Sequence, residues 1–272
     1  MQKRKLHAFE VPAVGFGTTG FDVRASRDIE ERRQLIELAK EASSTFIDTS
    51  ATFGEAEKVL GRVLPSGDNT GFQLSTKLWT SGERAGQNSI MQSFAFLMTQ
   101  YIDVLTIHNC LDFDTHIETI EKLQDDDKVG LAGVSALTHN QYQELMEIME
   151  TERVQVVQIP YNILEKRAEE EVFDVADKFG QGIVAIMPFN QGGLFRFKRR
   201  AKVDMEPLEA VGIQTWGQAL LAWVLADPRI SSVVPGTTNP DHLVENAAVG
   251  DIAKIDETLR KHIEKEAEKC LV

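Results

Sequence analysis

Residues 45–77 read TFIDTSATFGEAEKVLGRVLPSGDNTGFQLSTK. Two short β-prone runs, from Thr45 and from Phe72, end on charged residues, Asp48 and Lys77. Between them, Glu55 to Val63 carries apolar residues at helical spacing. Strand, helix and strand within so short a stretch read as a βαβ unit, which makes the two strands parallel.

The same rhythm runs through the chain. Apolar or β-branched runs begin near Val11, Thr45, Phe72, Ile102, Val129, Val154, Ile183 and Ser231, at spacings of 25–34 residues and one of 48. Helical stretches lie between them, at Asp28–Glu41, Thr115–Lys122, Gln141–Met149 and Glu169–Lys178. Eight such units predict an α/β fold, a (β/α)8 TIM barrel spanning residues 1–272 as a single domain. An N-terminal β-hairpin over Lys3–Val11 is expected to plug the barrel bottom. An extra C-terminal helix near Ile252–Glu268 is expected to pack outside. A doubly wound open sheet is the rival, but no GxGxxG follows the first strand. The longest polar stretch, Lys198–Pro207, falls in the widest spacing and reads as a loop, not a linker.

Forty-two acidic against 29 basic side chains give a net charge of −13. That sign argues against nucleic acid and anionic membranes as partners. Two cysteines, Cys110 and Cys270, make neither a disulfide framework nor a CxxC metal site, so no metal is expected. The basic N-terminus, Met1 to His7, has no apolar core behind it, and no run approaches the ~18 apolar residues of a membrane span. A cytoplasmic location is the expectation.

In a barrel, chemistry gathers on the loops at the C-terminal ends of the strands. Five successive runs close on Asp48, Lys77, His108, Ser135 and Gln158. Taken singly, each has a plainer reading, such as a helix cap for Asp48 or a satisfied rim histidine for His108. Together they predict one concave site. His7, His116, His139, His242 and His262 fall on loops or helices and are assigned to the surface.

On these residues the chain resembles the aldo-keto reductase superfamily. Phe46 to Glu57 is similar to that family's FDTAxxYGxxE signature, and Ser75-Thr76-Lys77 to its STK segment. Tyr101 to His108 matches its histidine strand, and Val234-Pro235-Gly236-Thr237-Thr238 with Glu245-Asn246 its IPGxx…EN element. The resemblance implies reduction of a small carbonyl compound with NADP(H), or NAD(H), as cofactor. It also implies a tetrad in which a tyrosine phenol donates a proton, lysine and aspartate tune it, and histidine orients the carbonyl.

Asp48, Lys77 and His108 match three of the four; the tyrosine position is Phe53. General acid catalysis contributes roughly 10²–10⁴ in rate, so another donor is needed, with imidazolium His108 or Lys77 as the candidates. Tyr101 starts a strand and Tyr142 lies in a helix, whereas Tyr161 follows the sixth strand and could face the site, in a neighbourhood that the resemblance gives to the cofactor pocket. The family's Ser-Asn pair at the fifth strand reads Ser135-Ala136, and its stacking tyrosine corresponds to Ile186, while Gln158 is retained.

The residues the resemblance assigns to the cofactor are Gly17, Thr18, Asp48, Ser135, Gln158, Pro188, Gly193, Leu194, Pro235, Gly236, Thr237, His242, Glu245 and Asn246. Gln191-Gly192-Gly193-Leu194, followed by Arg196, Lys198, Arg199 and Arg200, would meet a phosphate. The positions where the family often has arginine and lysine for NADP correspond to His242 and Gly236. The chain stops soon after the last helix, so the site is expected to be open, with Trp79 as a wall, and Trp216 and Trp223 as core. Two other readings compete with a reductase. One is a non-redox lyase or dehydratase using Asp48, Lys77 and His108 as acid and base; the other is a nucleotide-binding protein without catalysis.

Overall fold

The computed structural model describes residues 1–22, 26–65, 71–196, 202–252 and 254–270. It opens with an antiparallel hairpin, β1 (Lys3–Leu6) against β2 (Phe9–Pro12), with Lys5 opposite Glu10. Eight parallel strands follow among the described residues. They are β3 (Phe16–Gly17), β4 (Phe46–Asp48), β5 (Gln73–Leu78), β6 (Ile102–Ile107), β7 (Val129–Ser135), β8 (Val156–Pro160), β9 (Gly182–Ile186) and β10 (Ile230–Val233), paired in chain order. The sheet closes on itself through bridges that pair Val14 with Val233 and Gly17 with Gly236. Gly15 N–H donates to Val233 O at 2.9 Å, and Gly17 N–H to Pro235 O at 3.0 Å. The barrel expected from the strand rhythm is therefore present.

The run expected to start the first barrel strand at Val11 divides instead. Val11 and Pro12 belong to the hairpin, and the wall begins at Phe16. Hydrophobic periodicity is unbroken from Val11 to Phe16, so it carries no mark of where plug turns into wall. Leu6 and Val11 point into the barrel with Phe46, Val104, Leu131, Val156 and Val184. Arg4 fastens the plug by donating to Ile230 O and Leu225 O, both at 2.8 Å. With the bottom filled, the mouth at the strand C-termini is where a ligand enters.

The outer layer comprises α1 (Ser26–Glu41), α2 (Ala56–Val63), α3 (Glu83–Leu97), α4 (Phe113–Asp125), α5 (Tyr142–Met149), α6 (Arg167–Glu171), α7 (Phe173–Lys178), α8 (Glu206–Glu209), α9 (Trp216–Leu225), α10 (Pro240–Ala248) and α11 (Glu257–Ala267). The single helix expected over Glu169–Lys178 is broken at Val172 into α6 and α7. Every residue of α9 is buried, Trp216 and Trp223 included, because α10 and α11 cover the side turned away from the barrel. The extra terminal helix, α11, is shorter than expected. Its Arg260 donates to Glu169 Oε2 at 2.7 Å and to the Tyr161 hydroxyl at 2.7 Å, and its Glu264 accepts from Trp223 Nε1 at 3.1 Å.

That network corrects the expectation for Tyr161. Its hydroxyl donates to Glu169 at 2.5 Å, and its ring packs on Phe173 and Trp223 outside the barrel, away from the site. His116 is also corrected. It is 1 % exposed and meets Thr80 O at 2.7 Å through Nε2, because α4 turns it inward against α3, where Gly86 leaves room for the ring. Among the described residues no helix is long and apolar enough to cross a membrane.

Gly61 shows how tightly this outer layer is set. A Cβ there would stand 2.1 Å from Phe96 O and 2.9 Å from the carbonyl carbon of Leu97, so α2 meets the end of α3 backbone to side. In an open helix Gly→Ala gains about 1 kcal/mol of propensity. Here the overpacking reverses the sign. Gly61→Ala is expected to lower stability by about 2 kcal/mol, measured by urea denaturation.

Candidate active site

Successive residues of a strand face opposite ways. In β5, Ser75 and Lys77 face the barrel interior, while Thr76 faces out and donates to Glu57 of α2 at 2.6 Å. Lys77 Nζ lies 2.7 and 2.6 Å from the two carboxylate oxygens of Asp48 and 2.9 Å from Thr49 O. Three ammonium protons thus meet three acceptors. Asp48 Oδ1 also accepts from Ser75 Oγ at 2.9 Å and from Gln158 Nε2 at 3.0 Å. Lys77 is 2 % and Asp48 4 % exposed. Ions so deep are tolerated when paired and fully hydrogen-bonded, as they are here.

His108 follows β6 and opens a single 3-10 turn in which Asn109 takes a positive φ of 58°. The Ser135 hydroxyl lies 2.8 Å from His108 Nδ1 and accepts the Asn109 N–H at 3.1 Å. A Ser135 hydroxyl that donates to Nδ1 leaves the ring proton on Nε2, and one that accepts leaves it on Nδ1. Burial pushes the His108 pKa down to about 4, helped by the Lys77 ammonium and opposed by Asp48. The ring is therefore neutral near pH 7, which corrects the expectation of an imidazolium proton donor. Trp79 sets its edge on the His108 ring at 5.9 Å between centroids. Trp79 is half exposed and is not among the residues that line the cavity, so it is not the wall expected of it.

Asp48, Lys77 and His108 open onto one cavity of about 780 Å³. Its walls also include Phe53, Leu137, Ile186, Met187, Phe189 and Val234. The Lys77 ammonium stands 5.6 Å from the Phe53 ring centroid. Of the residues assigned to a cofactor, Gly17, Asp48, Pro188, Gly236, Thr237, His242, Glu245 and Asn246 line this space.

Thr18, Ser135, Gln158, Gly193, Leu194 and Pro235 are not on the cavity surface. Thr18 donates to Thr49 Oγ1 at 2.8 Å, Leu194 O accepts from Trp216 Nε1 at 2.9 Å, and Pro235 O serves the barrel closure. Gly193 sits against the Asn190 side chain. Gln158 spends both amide protons, on Asp48 and, at 2.9 Å, on Ser75. Ile186, by contrast, does face the cavity at the stacking position. Arg196 is exposed, and Lys198, Arg199 and Arg200 lie outside the described residues.

Sequence reasoning missed Thr19, Leu137, Met187, Phe189, Phe195 and Gly217. Leu137 was findable, since it falls two residues beyond Ser135. Gly217 was not, because nothing in the sequence tells that the start of α9 reaches the mouth.

Backbone and polar side chains along this cavity are open to a ligand. At Gly192, with φ +80°, an added Cβ would meet nothing within 4 Å, so backbone is open to a ligand. At Gly217 a Cβ would stand 2.8 Å from Glu245 Oε1, where Thr215 already donates to the same oxygen at 2.6 Å. The Asn246 amide faces the cavity at 6 % exposure and has no hydrogen-bond partner among the described residues. That amide is open to a hydrogen bond from a polar ligand.

A profile of the Aldo/keto reductase family matches residues 13–267. The chain belongs to this family. The match starts where the hairpin ends and runs to the last residue of α11, so it covers the whole barrel. Methylglyoxal reductase YeaE of Escherichia coli K12 is 28% identical over 252 residues, covering 89% of this chain and 86% of that protein. The aldo-keto reductase yakc [NADP(+)] of Schizosaccharomyces pombe is 24% identical, covering 95% and 89%. In fold, an aldo-keto reductase of Klebsiella pneumoniae solved with NADPH superposes with a TM-score of 0.81 at 24% identity, covering 96% and 94%.

Two outcomes follow for this aldo/keto reductase. Lys77→Met strands a buried carboxylate and is expected to cost about 3–5 kcal/mol in denaturant unfolding. Ser135→Ala removes the group that holds the His108 tautomer. Nitrogen-15 NMR of the imidazole is expected to show one tautomer in the wild type and a mixture of tautomers in the variant.

Proposed function

We propose that this aldo/keto reductase is a nicotinamide-nucleotide-dependent oxidoreductase that acts on a small carbonyl compound without the usual phenol acid. One observation carries the reading: the Lys77–Asp48 pair and the His108 ring open together onto a nucleotide-sized cavity whose wall also bears the unpartnered Asn246 amide. The names of two relatives support NADP(H), one carrying NADP(+) and one solved with NADPH; NAD(H) remains the alternative.

Gly17, Pro188, Gly236, Thr237, His242, Glu245 and Asn246 would hold the nucleotide, which when bound supplies hydride. His108 Nε2–H would orient a carbonyl oxygen by donating to it. The Lys77 and Asp48 charges offset each other beside His108. Phe53 contributes an apolar face where the phenol would stand.

A lyase on this scaffold needs a base, and Lys77 and Asp48 are committed to each other. Lys77 Nζ is held by Asp48 and Thr49 O, and Asp48 Oδ1 already accepts three bonds. This weighs against the non-redox reading.

Calorimetric titration with NADPH and with NADH tests the proposal. Saturable binding of at least one is expected, weakened about 10-fold by Asn246→Leu through loss of one hydrogen bond. No binding of either nucleotide overturns it.

A further inference from the structure

Just after β6 the backbone turns left-handed at Asn109, Cys110 and Asp112, with φ of 58°, 57° and 53°. Asparagine and aspartate tolerate that region, but a side chain such as that of Cys110 rarely enters it. The local sequence therefore does not hold this turn by itself. Backbone strain of this kind persists where surrounding bonds over-determine it, and it gathers at sites that act on ligands. Here the turn begins at His108, on the cavity wall.

Bonds from distant segments fasten the turn. The Ser135 hydroxyl accepts the Asn109 N–H at 3.1 Å, and Ser135 O accepts from Cys110 Sγ at 3.6 Å. The Asp112 carboxylate accepts the Gly82 N–H at 2.6 Å. The Asn109 carbonyl accepts from Gln141 Nε2 at 3.1 Å.

Gln141 stands just before α5 and does not line the cavity. Its amide oxygen accepts the N–H groups of Leu137 and Thr138 at 3.1 and 3.3 Å, the second as part of a capping box with Thr138. Two N–H donors on one side and a carbonyl on the other fix which end of the amide is oxygen. The capping box uses that oxygen alone. The nitrogen goes to Asn109, and this bond joins the turn after β6 to the loop after β7. Those two segments carry His108 and Leu137, both on the cavity wall.

We infer that Gln141 is a positioning residue for His108: from outside the cavity, its amide ties the left-handed turn to the loop after β7 and so fixes where the imidazole stands. The inference rests on the oxidoreductase reading above for what His108 does to a substrate, and on geometry alone for how the ring is held. It is independent of which ring nitrogen carries the proton. Without the bond to Asn109 O, the turn relaxes and the ring moves away from Lys77 and Asp48, which face it from β5 and β4, and from the Trp79 edge.

Carbon-13-edited NMR of the histidine rings in the nucleotide-free protein tests this, with the His108 signal identified by its loss in His108→Leu. The wild-type ring is expected to titrate with a midpoint of about 4. Gln141→Met, similar in length and uncharged, removes both halves of the amide. It is expected to raise the midpoint by about 1 pH toward the ordinary histidine value near 6.5, as water reaches the ring. Gln141→Glu keeps the oxygen that serves the capping box and loses only the nitrogen. Near pH 7 its His108 ring signals are expected to shift from their wild-type positions as the ring leaves the Trp79 edge, 5.9 Å away between centroids.

A midpoint that Gln141→Met does not move overturns the inference. So do His108 signals that Gln141→Glu leaves superimposable on the wild type, the result expected of a residue that only caps α5. The measurement near pH 7 decides even if Gln141→Met fails to fold or the protein unfolds in acid. Neither measurement uses a nucleotide, so absence of nucleotide binding overturns the oxidoreductase reading alone.

Discussion

A lysine ammonium sealed inside a closed parallel sheet has to find its counter-charge there, and the architecture of the mouth follows from that need. Lys77 reaches Asp48 because β4 and β5 pair with Asp48 opposite Ser75, which brings the carboxylate beside the inward side chains of β5. A slip of one residue would turn Lys77 outward toward the helical layer and bring Thr76 inside. Register, barrel interior and site are therefore one constraint. The supporting bonds from Ser75 and Gln158 and to Thr49 O complete it, because half-satisfied ions at this depth would destabilise the fold.

The same pairing governs what the site offers a ligand. Lys77 turns entirely back onto Asp48 and Thr49, with only the ring face of Phe53 beside it. Its charge still reaches His108 and, with burial, keeps that ring neutral. Beside His108 the mouth thus holds two ions whose charges offset each other. Below it, the hairpin seals the barrel with Leu6 and Val11, and Arg4 ties that seal to β10.

Much of this was legible in the chain because each feature has a local signature. Strands alternating with helices at near-regular spacing leave few folds open, and polar residues closing strand after strand mark the catalytic rim of a barrel. Where sequence reasoning erred, side-chain direction was at stake. Ser135 was read as a cofactor contact, yet its hydroxyl serves His108 Nδ1. Tyr161 could have faced the site and His116 was assigned to the surface, but the structure packs Tyr161 against Phe173 and Trp223 and buries His116. Val11 was counted into the wall because an apolar run looks alike in a plug and in a strand.

The sequence alone determined the order of strands and helices, the family motifs, and the presence of Asp48, Lys77 and His108 with a phenylalanine in the tyrosine position. These are matters of residue type and spacing along one chain. Only the tertiary structure decided that Lys77 turns wholly onto Asp48 and Thr49, that Ser135 pairs with His108 Nδ1, and that Asn246 faces the cavity unpartnered. Those properties depend on which atoms from distant segments come within hydrogen-bonding distance, and on how far water is excluded around them.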